Sequence, residues 1–262
     1  MERSREEQYA WPELPPRYDT ALREAVTFIA ERFPQTVAIV AAGTILRGEP
    51  SASSDLDLYV VHEAAYQQRL QRFFGGVPAE IFVNPEPQVY TYLEREQQEG
   101  RPITAHMLST GFAVLDTSGV LPGLTERARE LLGAGPPVPE DTTGPRYLLG
   151  SLYEDATDVV DHDPDTARLF ATRVVWESLA PAFSFRGRFI PRPKELLSSL
   201  RELDPGLHAL VIGFLNEPDA RRAVEIAGEV TERVAGVRGF FEWESTPRVI
   251  DGASGPGPPS PE

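Results

Sequence analysis

The chain has 262 residues, enough for one large domain or two modest ones and for a core that needs no covalent staples. It contains no cysteine, which excludes disulfides, zinc–thiolate sites, iron–sulfur clusters and a thiol nucleophile. Its 40 acidic against 25 basic residues give a net charge of −15, which disfavours a phosphate backbone or an anionic lipid surface as partner and favours a cationic one. The opening MERSREEQ has no apolar signal core, and the longest clean apolar run, from Val37 to Ala42, is too short to span a bilayer. The expectation is a cytoplasmic protein that binds neither nucleic acid nor membrane.

Residues 1–16 are charged and proline-rich, with Tyr9 and Trp11 as apolar anchors. Leu22, Val26, Phe28, Ile29 and Phe33 recur at near-helical spacing and predict a helix over 19–33, ended by Pro34. Thr36–Ala42 (TVAIVAA) reads as a buried strand stopped by Gly43, residues 45–54 as a loop, and 56–61 as a second strand. Residues 63–73 read as helical. A third strand covers 79–83 (AEIFV) and stops at Asn84 and Pro85. A helix over 89–98, a strand over 111–115, a turn over 116–119 and a helix over 124–132 follow.

The stretch 133–145, GAGPPVPEDTTGP, is the strongest linker signal in the chain. Beyond it the pattern turns helical. Leu149, Leu152, Ala156, Val159 and Val160 make one apolar stripe, and others cover 166–179, 194–203, 207–215 and 219–237, with a loop over 181–193. The final DGASGPGPPSPE is of low complexity. The expected class is α+β: a small mixed-sheet domain over 1–132, a linker over 133–145, an all-α helical bundle over 146–246 and a disordered tail over 247–262.

Chemistry concentrates between residues 43 and 80. Asp55 and Asp57 stand two apart at the start of a strand and therefore face the same way. Two adjacent carboxylates resist ionising together unless a cation lies between them, and a hard divalent ion with oxygen ligands fits that need. Glu80 sits within the next apolar strand, where a lone carboxylate needs a partner. If those strands are neighbours, the three carboxylates could host two Mg²⁺ ions. Upstream, Gly43 and Thr44 end the first strand; exposed backbone N–H groups and the Thr44 hydroxyl there suit phosphate. Arg47, near the same turn, can contact phosphate or hold an acidic side chain.

Gly43-Thr44, ten residues, then Asp55-x-Asp57 resembles the signature of the DNA-polymerase-β-like nucleotidyltransferases. The match includes Arg47-Gly48 and the ending Ser54-Asp55-x-Asp57-Leu58, and Glu80 stands where the family has its third carboxylate. Thr44 replaces the usual serine and keeps the hydroxyl. The pattern is most similar to the aminoglycoside-type and minimal nucleotidyltransferases, which commonly carry a C-terminal helical bundle. The resemblance covers roughly residues 18–85 and implies a catalytic domain over 1–132 with an acceptor-binding bundle behind it. It implies a nucleoside triphosphate, ATP favoured, on Gly43, Thr44, Arg47 and Ser54, with two Mg²⁺ on the catalytic residues Asp55, Asp57 and Glu80. AMP would pass to a hydroxyl of a small cationic acceptor such as an aminoglycoside, releasing pyrophosphate. The alternatives are a protein acceptor, as in nucleotide-adding antitoxins, and a nucleotide-binding module without turnover. The general base stays open between Glu80 and another acid.

Other features have both functional and plain readings. Glu154, Asp155, Asp158 and Asp161 can share a helix face, either as a polyamine-binding surface or as an ordinary solvated one. Arg186, Arg188, Arg192 and Lys194 form a basic cluster, either surface charges or a triphosphate clamp in which Lys194 is the favoured member. Arg201 and His208 superficially fit a ribonuclease motif, but Asp204-Pro205-Gly206 breaks the helix that motif needs. His62, at a strand end, reads as structural, and Trp176, Phe240, Phe241 and Trp243 read as packing residues.

Overall fold

The computed structural model describes residues 8–48 and 54–245. These fall into two compact units, one comprising residues up to Val138 together with Arg186–Pro191, the other Pro139–Phe185 and the chain from Arg192 onward. The boundary between Val138 and Pro139 falls within 133–145, while Arg186–Pro191, from the stretch expected as the bundle, groups with the first unit. The expected tail, 247–262, lies outside the described residues.

The first unit is built on a five-stranded mixed sheet of order β3-β4-β2-β1-β5, from β1 (Thr36–Ala42), β2 (Leu56–His62), β3 (Gln68–Phe74), β4 (Val77–Pro85) and β5 (Phe112–Asp116). Only β2 and β4 pair in parallel; the other neighbours are antiparallel. On one face lies α1 (Pro16–Arg32), whose Leu22, Ala25, Val26 and Ile29 bury against Ile39, Leu58 and Ile81. On the other lie α2 (Glu86–Gln98), α3 (Ile103–Thr110) and α4 (Leu121–Ala134), covering Val40, Tyr59 and Val61. Because β1 runs between β2 and β5 with both faces covered, it needs the unbroken apolar run TVAIVAA.

Three expectations require correction. Residues 63–73 are not a helix: β3 occupies 68–74 and forms a hairpin with β4 through Gly75 and Gly76, at φ 53° and 75°. Two consecutive left-handed glycines make the tight turn whose twist matches the strands, and they fix this segment as a strand. The helix α3, absent from the sequence reading, is held by a distant residue, since the Glu96 carboxylate accepts from the Thr104 N–H (2.6 Å) and hydroxyl (2.9 Å). Residues 181–193 are not wholly a loop, because α6 continues through Pro181 to Ser184.

The second unit consists, among the described residues, of α5 (Thr143–Val159), α6 (Pro164–Ser184), α7 (Leu196–Leu203), α8 (Pro205–Asn216) and α9 (Ala220–Ala235). Small residues let α6 and α9 pack together: Ala167, Ala171, Ala223 and Ala227 are all fully buried. Asp163, Asp204 and Asp219 cap α6, α8 and α9, each accepting a backbone N–H of the first turn at 2.8–3.0 Å. Asp204 also ends α7, so the helix break expected at Asp204-Pro205-Gly206 is present. Trp176, Phe240 and Trp243 are exposed rather than packed in a core, while the Phe241 ring lies 4.8 Å under Arg146. Among the described residues no helix is long and apolar enough to cross a membrane.

Candidate functional site

The register of the sheet builds the site. Ala42, the last residue of β1, pairs with Asp57; Asp57 pairs with Glu80; Glu80 pairs with Gln71. These four residues make one row across four strands and share a face. The next row on that face is Val40, Tyr59, Phe82 and Arg69. Its rings form a floor, with Tyr59 and Phe82 stacked at 6.2 Å and the Arg69 guanidinium 4.9 Å above Phe82.

Gly43 follows Ala42 at φ 98° and ψ −177°, a conformation open in practice only to glycine. A Cβ at this position would lie 2.8 Å from the Asp57 Oδ2, so the carboxylate rests against the bare Cα. Thr44 then opens a short 3-10 turn, Thr44–Arg47, with Gly48 donating to the Ile45 carbonyl at 3.4 Å. Ile45 anchors the turn by burying in the α1-side core. The expected role of the Arg47 side chain lies outside the described residues. Ser54 is buried, Asp55 exposed and Asp57 half-buried at the entry to β2. The structure thus brings Gly43, Asp55, Asp57 and Glu80 to one end of the central strands.

Glu80 has committed partners. Its Oε1 accepts from Arg69 Nε at 2.6 Å and Gln71 Nε2 at 3.2 Å, and lies 2.5 Å from Arg69 Nη2. Among the described residues no three His, Asp or Glu side chains stand together as a metal-holding group. Glu80, the third carboxylate expected to hold metal, meets Arg69 and Gln71 through its Oε1, and the carboxylates beside it that could hold a divalent ion are Asp55 and Asp57. Mg²⁺ is commonly bound by one or two carboxylates plus substrate phosphates rather than by a full protein cage, so this pair fits. Sequence pattern alone does not single out Arg69 and Gln71, because 63–73 has helical spacing; Gly75-Gly76 is the signal that marks their segment as a hairpin strand.

Behind the floor, Tyr59 is buried and burial pushes its hydroxyl above its ordinary value. Thr104 and Asn84 stand near that hydroxyl, but neither meets it at hydrogen-bonding geometry. Burial likewise raises Glu96, an effect the two Thr104 donors oppose. His62 ends β2, five residues beyond Asp57, and its Nε2 lies 2.7 Å from the Tyr66 carbonyl. Its role is to fix the β2–β3 connection.

Of the remaining candidates, Arg186 and Arg188 fall within the first unit, and Arg192, Lys194 and the acidic residues 154–161 within the second. Lys194 is exposed on the 3-10 turn Pro193–Glu195, and Arg192 beside it pairs with Glu195 at 2.5 Å. On α5, Asp155 and Asp158 are exposed and Glu154 accepts the Phe240 N–H at 3.2 Å; Asp161, just past the end of the helix, pairs with Arg221. Half of the proposed acidic face is therefore engaged within the chain.

No protein-family model matches this chain, and no curated protein is similar to it in sequence. Among solved structures, a nucleotidyltransferase-like protein from Exiguobacterium sibiricum superposes with a TM-score of 0.52 at 14% identity, over 81% of this chain and 73% of its own. The likeness is one of fold: this chain has a nucleotidyltransferase-like α+β fold, a sheet domain followed by helices.

Proposed function

We propose that the protein transfers a nucleoside monophosphate, AMP by preference, from a triphosphate to a hydroxyl of a small cationic acceptor of the aminoglycoside kind. The observation that carries this is the Asp57 carboxylate lying on the bare Cα of Gly43, which joins the Gly-Thr turn to the Asp55-x-Asp57 strand in one place. The N–H groups of the Gly43–Thr44 turn cradle phosphate oxygens. Asp55 and Asp57 would hold a Mg²⁺ ion, which would neutralise phosphate charge there. The acceptor oxygen attacks the α-phosphorus in line. A new O–P bond forms as the bond to the bridging oxygen breaks, pyrophosphate leaves with that electron pair, and the acceptor proton passes to water. Catalysis is mostly positioning and charge neutralisation. The net charge of −15 supports a cationic acceptor.

A second reading, nucleotide binding without turnover, is favoured by the engagement of Glu80 with Arg69. Labelled transfer from an α-³²P triphosphate to aminoglycosides separates the two. The site itself is tested by thermal shift with each of four triphosphates and Mg²⁺. A ligand at 100 times its Kd adds about 2.7 kcal/mol, or about 5–11 °C at this size. One triphosphate should stabilise the wild type and fail on the Asp55→Asn/Asp57→Asn variant. Asp57→Asn alone should cut turnover by orders of magnitude with little change in Tm; full activity in that variant refutes the site.

A further inference from the structure

The Glu80 carboxylate meets Arg69 and Gln71, both on β3, which flanks β4 on the side away from β2 and the aspartates. The Glu80 side chain is 15% exposed and that of Arg69 66%, so the carboxylate is sheltered while the guanidinium faces solvent, where a ligand can reach it. Arg69 is itself held in place, with its guanidinium over Phe82 and Phe82 on Tyr59. It stands on the same face as Asp57, one row along. The Glu80 Oε1 is taken up by the Arg69 guanidinium and the Gln71 amide, and a carboxylate whose charge Arg69 already matches attracts a further cation less strongly. A second divalent ion would also have to enter beside a fixed positive charge.

Resting on the nucleotidyltransferase reading above, we propose that Arg69 stands in for a second divalent ion. The site then holds one metal ion, on Asp55 and Asp57. Glu80 serves as the anchor that positions Arg69, and the guanidinium supplies the second positive charge at the phosphates. Glu80 is in this sense the positioning residue and Arg69 the charge-supplying one, and the effect of Arg69 on metal count is separate from its effect on folding.

The experiment counts bound Mn²⁺ by the loss of free-ion electron paramagnetic resonance signal. The protein is kept in excess over α,β-methylene ATP, which cannot be turned over at the α-phosphorus. The wild type should bind one ion per nucleotide complex. Arg69→Gln releases Glu80 and should bind two, Arg69→Lys should stay at one, and Arg69→Gln/Glu80→Gln should return to one. Loss of a merely structural Arg69 would leave the count unmoved. Two ions in the wild type, or one in Arg69→Gln, overturns the proposal. The wild-type count decides even if Arg69→Gln does not fold. If neither nucleotide nor metal binds to the wild type, the nucleotidyltransferase reading fails and takes this inference with it, an outcome distinct from a count of two.

Discussion

Replacing Gly43 by alanine probes the join between the turn and the strand. Its φ of 98° with ψ near 180° belongs to a region that costs a residue bearing a Cβ about 1–3 kcal/mol. At about 2–4 °C per kcal/mol, Tm should fall by about 2–12 °C. A second effect is local. The new Cβ would meet the Asp57 Oδ2 at 2.8 Å against an ordinary contact of 3.4 Å, so the carboxylate must retreat by about 0.6 Å. Mg²⁺ tolerates little departure from ideal geometry, and displacements of this order at a reacting centre cost about 10–100-fold. Gly48→Ala is the control. Gly48 is also left-handed, at φ 82°, but a Cβ there meets nothing within 4 Å. It should lower Tm through backbone strain of about 1–2 kcal/mol and leave Mg-nucleotide affinity intact. Thermal melts and calorimetric titration with Mg-ATP read both quantities. Equal nucleotide affinity in the two variants would refute the claim that Gly43 exists to receive the Asp57 carboxylate.

Two further predictions concern the scaffold. Asp204→Ala should destabilise more than Arg233→Ala, because Asp204 caps α8 at 2.9 Å as well as pairing with Arg233 at 2.7 Å; the lost cap alone is worth about 0.5–2 kcal/mol. Urea unfolding of the two variants checks the order, and equal losses would remove the cap from the account. Burial raises the Tyr59 hydroxyl, so the native state resists an ionisation the unfolded chain undergoes near pH 10. The stability this contributes is present in full below about pH 10 and is lost as pH rises beyond it. Unfolding midpoints of wild type and Tyr59→Phe should run parallel below about pH 10 and diverge above it, with the wild type falling faster; parallel curves throughout would show that Tyr59 is not shielded.

What was legible in the sequence was what burial writes into it. β1 is covered on both faces and spells an apolar run of the same bounds, and α1 carries one apolar stripe. The edge strand β3 has no such imprint. Its QRLQRFF is mostly exposed, so no alternation separates an inner from an outer face, and only Gly75-Gly76 marks the hairpin. The helix α3 is short, and its start is set by Glu96, which no local pattern reveals. Pro181 reads as a helix breaker, yet α6 runs three residues past it to Ser184, so the helix forgoes the one N–H that position would donate and ends within a turn of it.

The same logic divides the site. Gly43, Thr44, Asp55 and Asp57 lie within fifteen residues, so strand periodicity and glycine conformation suffice to bring them together. Glu80 joins them through the parallel pairing of β2 with β4, which demands a crossover, and the crossover here is β3 itself. Reading that crossover as a helix placed Glu80 beside Asp57 with nothing on its other side. Recognising it as a strand brings Arg69 and Gln71 onto the same face and changes the charge of the site. The charge at this end of the sheet thus depends on the secondary structure of a connection that carries none of the signature residues. Strand register, which no local motif encodes, decides which groups Glu80 meets.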